Sequence, residues 1–210
     1  MYTRPYVMGP QAPTLRKPPA PVRRRVVALC RALIALGALL IGAVLAPVAA
    51  AHSPLFFTPK NGSPATPLRV ADGTVSIAAF GRLTGASPVL HLDVQLPAGA
   101  REPLEVLVPA ETAPFPSVRV EVKAPGTGWR PVRPLAKPQT FFEPYGRQTY
   151  IRTHRGSIGS AVGGSFLVRV TLPAKLARRS VCVATGSREV FAEGVDLSSA
   201  QQRIRAWARG

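Results

Sequence analysis

Acidic side chains are scarce in this chain: ten Asp and Glu stand against 27 Lys and Arg, a net charge of +17 over 210 residues. Cysteine is nearly absent as well. Cys30 lies ahead of a long apolar run, so Cys182 is the single cysteine of the 159 residues from His52 onward, and no internal disulfide can form there. Its setting, Ser180-Val181-Cys182-Val183-Ala184, is an apolar strand-like run that suits a buried side chain better than a reactive thiol. Phosphate-loop and dinucleotide-binding patterns are missing. Gly156-Ser157-Ile158-Gly159-Ser160 lacks the nucleophile-elbow pattern and reads as a flexible loop. Glu102 and Glu105 fall on opposite sides of an expected strand and make no acid/base pair. These absences leave a hydrolase without a constellation of groups, and the sequence points away from catalysis.

What is present begins at residues 23–51. Arg23, Arg24 and Arg25 lead, an uncharged run from Ala32 to Ala51 follows, and Ala49-Ala50-Ala51 closes it. This is the order of an export signal: positive n-region, apolar h-region, small-residue cleavage site. Twenty uncharged residues also approach the length that spans a bilayer, so a retained signal-anchor over residues 32–51 competes with cleavage. Pro47 and the three alanines favour cleavage, with His52 as the new N-terminus. Either outcome puts the remainder outside the cytoplasm, in the periplasm or the medium. Arg23-Arg24-Arg25-Val26-Val27 fits a twin-arginine signal loosely and an ordinary basic n-region equally well. Because Cys30 precedes the apolar run, it does not suit lipoprotein attachment. Residues 1–22, with six prolines, read as a disordered leader.

Seven of the 27 basic residues and none of the ten acidic ones precede His52, which leaves a net +10 beyond it. That charge attracts polyanions, such as an anionic membrane surface or acidic wall polymers. Arginine used simply for solubility accounts for the same composition. Nucleic acid is disfavoured, because the compartment is wrong and no aromatic–basic recognition motif occurs.

Period-2 alternation recurs through residues 52–194. It marks strands over Thr74 to Phe80, Val89 to Leu96, Leu104 to Val108, Val118 to Val122, Phe166 to Leu172, Ser180 to Thr185 and Arg188 to Phe191. Pro97-Ala98-Gly99, Pro125-Gly126-Thr127-Gly128, Gly163-Gly164 and Gly186-Ser187 supply turns between them. Trp129 to Pro138 contains three prolines and reads as an irregular crossing between sheets. The expected fold is all-β, a two-sheet antiparallel sandwich of jelly-roll or immunoglobulin-like type. An N-terminal signal or transmembrane helix precedes it and a short amphipathic helix follows over residues 195–210. Asp196 or Ser198 can cap that helix, and Leu197, Ala200, Ile204 and Trp207 share one side. The stripe suits docking against the sandwich edge; lying on an anionic membrane face is the functional alternative.

Two stretches resemble exported bacterial β-sandwich proteins akin to the pre-peptidase C-terminal type domain. The first, Gly81 to Pro109, holds His91-Leu92-Asp93-Val94-Gln95, the turn Leu96 to Gly99, and Leu104-Glu105-Val106-Leu107-Val108-Pro109. The second runs from Phe142-Glu143-Pro144-Tyr145 through Tyr150-Ile151-Arg152 and Phe166 to Leu172, closing with Thr185 to Phe191. The resemblance implies a jelly-roll-like fold and a binding or accessory role toward an envelope component or protein partner, with no catalytic residues to carry over. The acidic positions of a calcium site are missing.

The opening His52-Ser53-Pro54-Leu55 is similar to exported copper-resistance carrier proteins, β-sandwiches that begin with histidine. Cleavage before His52 would place an α-amine beside its imidazole, a bidentate nitrogen chelate suited to copper(II). His91, with Asp93 near it on the same strand face, or His154 would complete a square-planar set. No Met-rich segment accompanies these residues. The metal reading is the alternative to a binding protein that carries no cofactor.

Overall fold

The alternating segments form eleven strands in a computed structural model that describes residues 52–110, 118–143, 147–174, 178–190 and 197–209. The chain divides into two units, Met1–Val48 and Ala49–Gly210, and every described residue belongs to the second. The leader and export signal therefore lie outside the described residues. The strands are β1 (Ser53–Phe56), β2 (Leu68–Val70), β3 (Ile77–Thr84), β4 (Val89–Leu96), β5 (Arg101–Pro109), β6 (Arg119–Lys123), β7 (Arg130–Pro131), β8 (Pro134–Glu143), β9 (Gln148–Gly159), β10 (Gly164–Thr171) and β11 (Arg178–Thr185). A 3₁₀ turn, Pro59–Gly62, follows β1, and one helix, α1 (Leu197–Ala208), follows the last strand.

Strand order is β1-β3-β11-β5-β9-β8 in a six-stranded sheet and β2-β4-β10-β6-β7 in a five-stranded sheet. Leu90, Leu92 and Val94 of β4, with Phe166, Val168 and Val170 of β10, face Leu83, Val106, Val181 and Val183 of the other sheet across one buried core. The two sheets pack face to face as the alternation requires. Pairing is mixed: β1 runs parallel to β3, and β2 parallel to β4. The stretches 57–76 and 71–88 supply the long crossovers that parallel pairs need, so two edge strands depart from the purely antiparallel expectation.

A second core lies on the outer face of the six-stranded sheet. Ala78, Phe80, Leu107, Tyr150, Cys182 and Ala184 are covered by Ile204, Trp207 and Ala208 of α1. Trp207 meets Phe80 edge-on, centroids 4.9 Å apart, and its Nε1–H donates to the Gly81 carbonyl at 2.7 Å. Ser180 Oγ donates to the Trp207 carbonyl at 3.0 Å. The helix therefore docks on a sheet face, not at the sandwich edge, and its apolar stripe is taken up by protein instead of lipid. The helix starts at Leu197, so Ser198 lies inside it, and Asp196 is outside the described residues. Burial on both faces explains why Val181-Cys182-Val183-Ala184 is continuously apolar.

Several expected boundaries shift. The Thr74–Phe80 strand starts at Ile77 and runs on to Thr84. Arg188 makes only an isolated parallel bridge with Val75, and Phe191 lies outside the described residues. Gly186 makes that bridge possible: at φ +84° it occupies the left-handed region, and a Cβ there would sit 2.0 Å from the Val75 carbonyl oxygen. The Gly156–Ser160 segment is not a flexible loop; up to Gly159 it is the end of β9, paired with Arg101 to Leu104 of β5. Trp129 to Pro138 does cross between the sheets, yet most of it is strand, in β7 and β8. β8 is an edge strand with a register break between Pro134 and Gln139, a setting in which prolines are tolerated.

Candidate anion-binding groove

The crossing from β7 to β8 carries the chain from one sheet to the other, and the sandwich stays open beside it. A groove of about 360 Å³ results, walled by the end of β6, the β7–β8 crossing and the end of β9. Its floor is apolar: Val122, Val132, Ile158 and Phe166. Gly156 keeps the β9 wall low, since a Cβ there would already lie 3.3 Å from Val132 Cγ1.

Three arginines line this groove, Arg130, Arg133 and Arg155, and no carboxylate does. Arg155 is partly neutralised from behind: its Nε lies 3.3 Å from Glu105 Oε1, while Glu105 Oε2 takes Arg152 Nε at 2.7 Å. Arg101 Nε donates to Ser157 Oγ at 3.0 Å, which places a fourth guanidinium beside the β9 wall. Arg130 and Arg133 make no ion pair with any described residue. Two guanidinium groups without an ion-pair partner among the described residues thus flank an apolar trough. Sequence reading missed them, although Arg130-Pro131-Val132-Arg133-Pro134 signals a rigid, positively charged crossing.

The outer face of the five-stranded sheet is built differently. Glu121 is buried and accepts from Arg119 Nη2 at 2.8 Å and Arg169 Nη2 at 2.6 Å. The Arg169 guanidinium also stacks on Trp129, 4.3 Å from the ring centroid. Asp93 accepts from Ser165 Oγ and from Gln95 Nε2. These charges are satisfied within the sheet and leave little for a ligand.

The three expected metal-site histidines sit in three separate parts of the sandwich. His52 leads into β1, its Nδ1 bonded to Ser76 Oγ, beside a pocket of about 20 Å³ beneath α1 that Tyr150 and Cys182 also line. His91 lies on the outer face of the five-stranded sheet, covered by the 3₁₀ turn and 6.2 Å from Trp129 between centroids. Burial first, and the Arg169 charge second, lower its pKa. Asp93 does share its strand face, two residues along β4. His154 points inward from β9, with Nδ1 3.0 Å from Thr153 Oγ1, and burial holds its pKa down at about 4. Among the described residues no group of three or more His, Cys, Asp or Glu is placed to hold a metal ion. The Cys182 thiol is fully enclosed, and burial pushes its pKa well above the usual thiol range, which removes thiolate chemistry.

No helix among the described residues is long and apolar enough to cross a membrane. No protein-family model matches the chain, and no curated protein matches it. Among solved structures, the chain is similar to the crystal structure of Aeromonas hydrophila PliG, a periplasmic lysozyme inhibitor of g-type lysozyme. The TM-score is 0.35 with 16% identity, over 65% of this chain and 98% of that one. A likeness of that degree carries no inference about activity or partner.

Proposed function

We propose that this chain is an exported, non-catalytic β-sandwich that binds an anionic component of the cell envelope through the groove beside the β7–β8 crossing. One observation carries the reading: Arg130 and Arg133 flank an open recess and have no counter-charge among the described residues. Unpaired guanidinium groups gathered at a concave surface favour carboxylate or phosphate oxygens. Export rests on the order of charges, apolar run and small residues over 23–51.

Calorimetric titration of the purified protein with soluble polyphosphate tests the reading. Arg130→Ala/Arg133→Ala should weaken binding at least tenfold, about 1.4 kcal/mol, at low salt. Arg69→Ala, an exposed arginine on β2, should leave it nearly unchanged. Equal losses from both variants would mean diffuse attraction to a positive surface, and the groove would lose its role.

A further inference from the structure

The groove is more than a basic patch, because its charge and its apolar surface are segregated. Arg130 and Arg133 stand along the crossing, while the floor between the sheets is Val122, Val132, Ile158 and Phe166. Val122 and Val132 are only half-buried, so this floor is open on one side although it continues the main core. Ile158 and Phe166 are already buried, so a bare oxyanion would contact the arginines and leave the exposed parts of Val122 and Val132 in water. A long hydrophilic polymer would do the same. The recess, about 360 Å³, falls at the lower end of the range for small-molecule sites, about 300–1,000 Å³. Of the two nearby carboxylates, Glu105 is held by Arg152 and Arg155 on the outer side of β5, while Glu102, in register with Ile158, is buried and its Oε2 has no hydrogen-bond partner among the described residues.

Resting on the anion-binding reading above, we infer that the groove takes a small anionic amphiphile, a carboxylate or phosphate head carrying a single apolar chain. The head sits between Arg130 and Arg133, and the chain covers the exposed parts of Val122 and Val132. Charge complementarity selects the head, and removal of apolar area from water on both sides selects the tail. A single-chain carboxylate and a single-chain phosphate ester present the same two features, and their relative affinities separate the two sources.

Calorimetry on the purified protein, with each probe kept below its micelle threshold, tests this. The probes are dodecanoate, dodecyl phosphate, dodecyltrimethylammonium, acetate and inorganic phosphate. One-to-one saturable binding of dodecanoate or dodecyl phosphate is expected, at least tenfold tighter than acetate, inorganic phosphate or the cationic surfactant. The tighter of the two anionic chains identifies the head. Arg130→Ala/Arg133→Ala, both at exposed positions, should weaken this binding at least tenfold while the thermal midpoint holds. Val132→Glu, which puts a carboxylate in the trough, should abolish it. Dodecanoate and dodecyl phosphate bound no better than acetate and phosphate, with polyphosphate still lost in the arginine variant, would overturn the amphiphile and leave the anion groove standing. Tailed probes bound equally by the arginine variant, or the cationic surfactant bound as well as the anionic ones, would overturn the amphiphile assignment too. Loss of both polyphosphate dependence and tailed-probe binding would end both readings.

Discussion

Replacing Trp207 tests whether the C-terminal helix belongs to the protein core. Its ring is 7% exposed, packs edge-on against Phe80 at 4.9 Å, and lies 6.1 Å from Tyr150 between centroids. Truncating a buried tryptophan to alanine costs about 3–5 kcal/mol in lost transfer energy and residual cavity. The Nε1–H donation to the Gly81 carbonyl disappears as well, adding about 1 kcal/mol. Trp207→Ala should therefore lose about 4–6 kcal/mol, a large share of the 5–15 kcal/mol that holds a typical domain. Trp207→Phe keeps most of the apolar contact, drops the hydrogen bond, and should lose about 2 kcal/mol. Urea denaturation followed by far-ultraviolet circular dichroism measures both. A loss under about 1 kcal/mol for Trp207→Ala would show a helix that is not docked on the sheet. The membrane-surface alternative would then regain its footing.

Two further expectations concern backbone and charge. Gly186→Ala meets both a left-handed backbone and the Val75 carbonyl, so it should lose at least about 2 kcal/mol in the same assay; a neutral result would mean the bridge at Arg188 is absent in solution. His154, with its folded pKa held near 4, is below its unfolded value near 6.5. Its contribution is therefore complete above pH 6.5 and is lost as pH falls toward 4. Stability should drop by about 2 kcal/mol between pH 8 and pH 5 from this residue, and His154→Gln should flatten that part of the profile. An unchanged profile in the variant would place the titration elsewhere.

The sequence displayed the strands that bury one face and wet the other. In β4, Leu90, Leu92, Val94 and Leu96 line the core while His91, Asp93 and Gln95 point outward, and all eight residues are strand as expected. β8 was illegible because Pro134 and Pro138 read as breaks, and only the pairing of β9 on one side makes them tolerable. β9 hid its end for a related reason. Gly156 and Gly159 look like loop residues, yet they occur where Val132 and the Ala100 carbonyl press close to the strand. β1 and β2 are four and three residues long, too short for alternation to register. The net charge was visible, but not which arginines gather. Arg130 and Arg133 meet Arg155 only through the pairing of distant segments. The expected helix stripe was correct in Ala200, Ile204 and Trp207, while the surface it covers was beyond a periodicity argument.

In the six-stranded sheet, β11 lies between β3 and β5. Its residues, 178–185, are made long after those of its neighbours, 77–84 and 101–109. A chain emerging N-terminus first would thus carry a gap in its larger sheet until that late segment arrives. Non-local closure of this kind is slow. The delay leaves the larger sheet, and the helix that docks on its outer face, unformed until the last third of the chain is available.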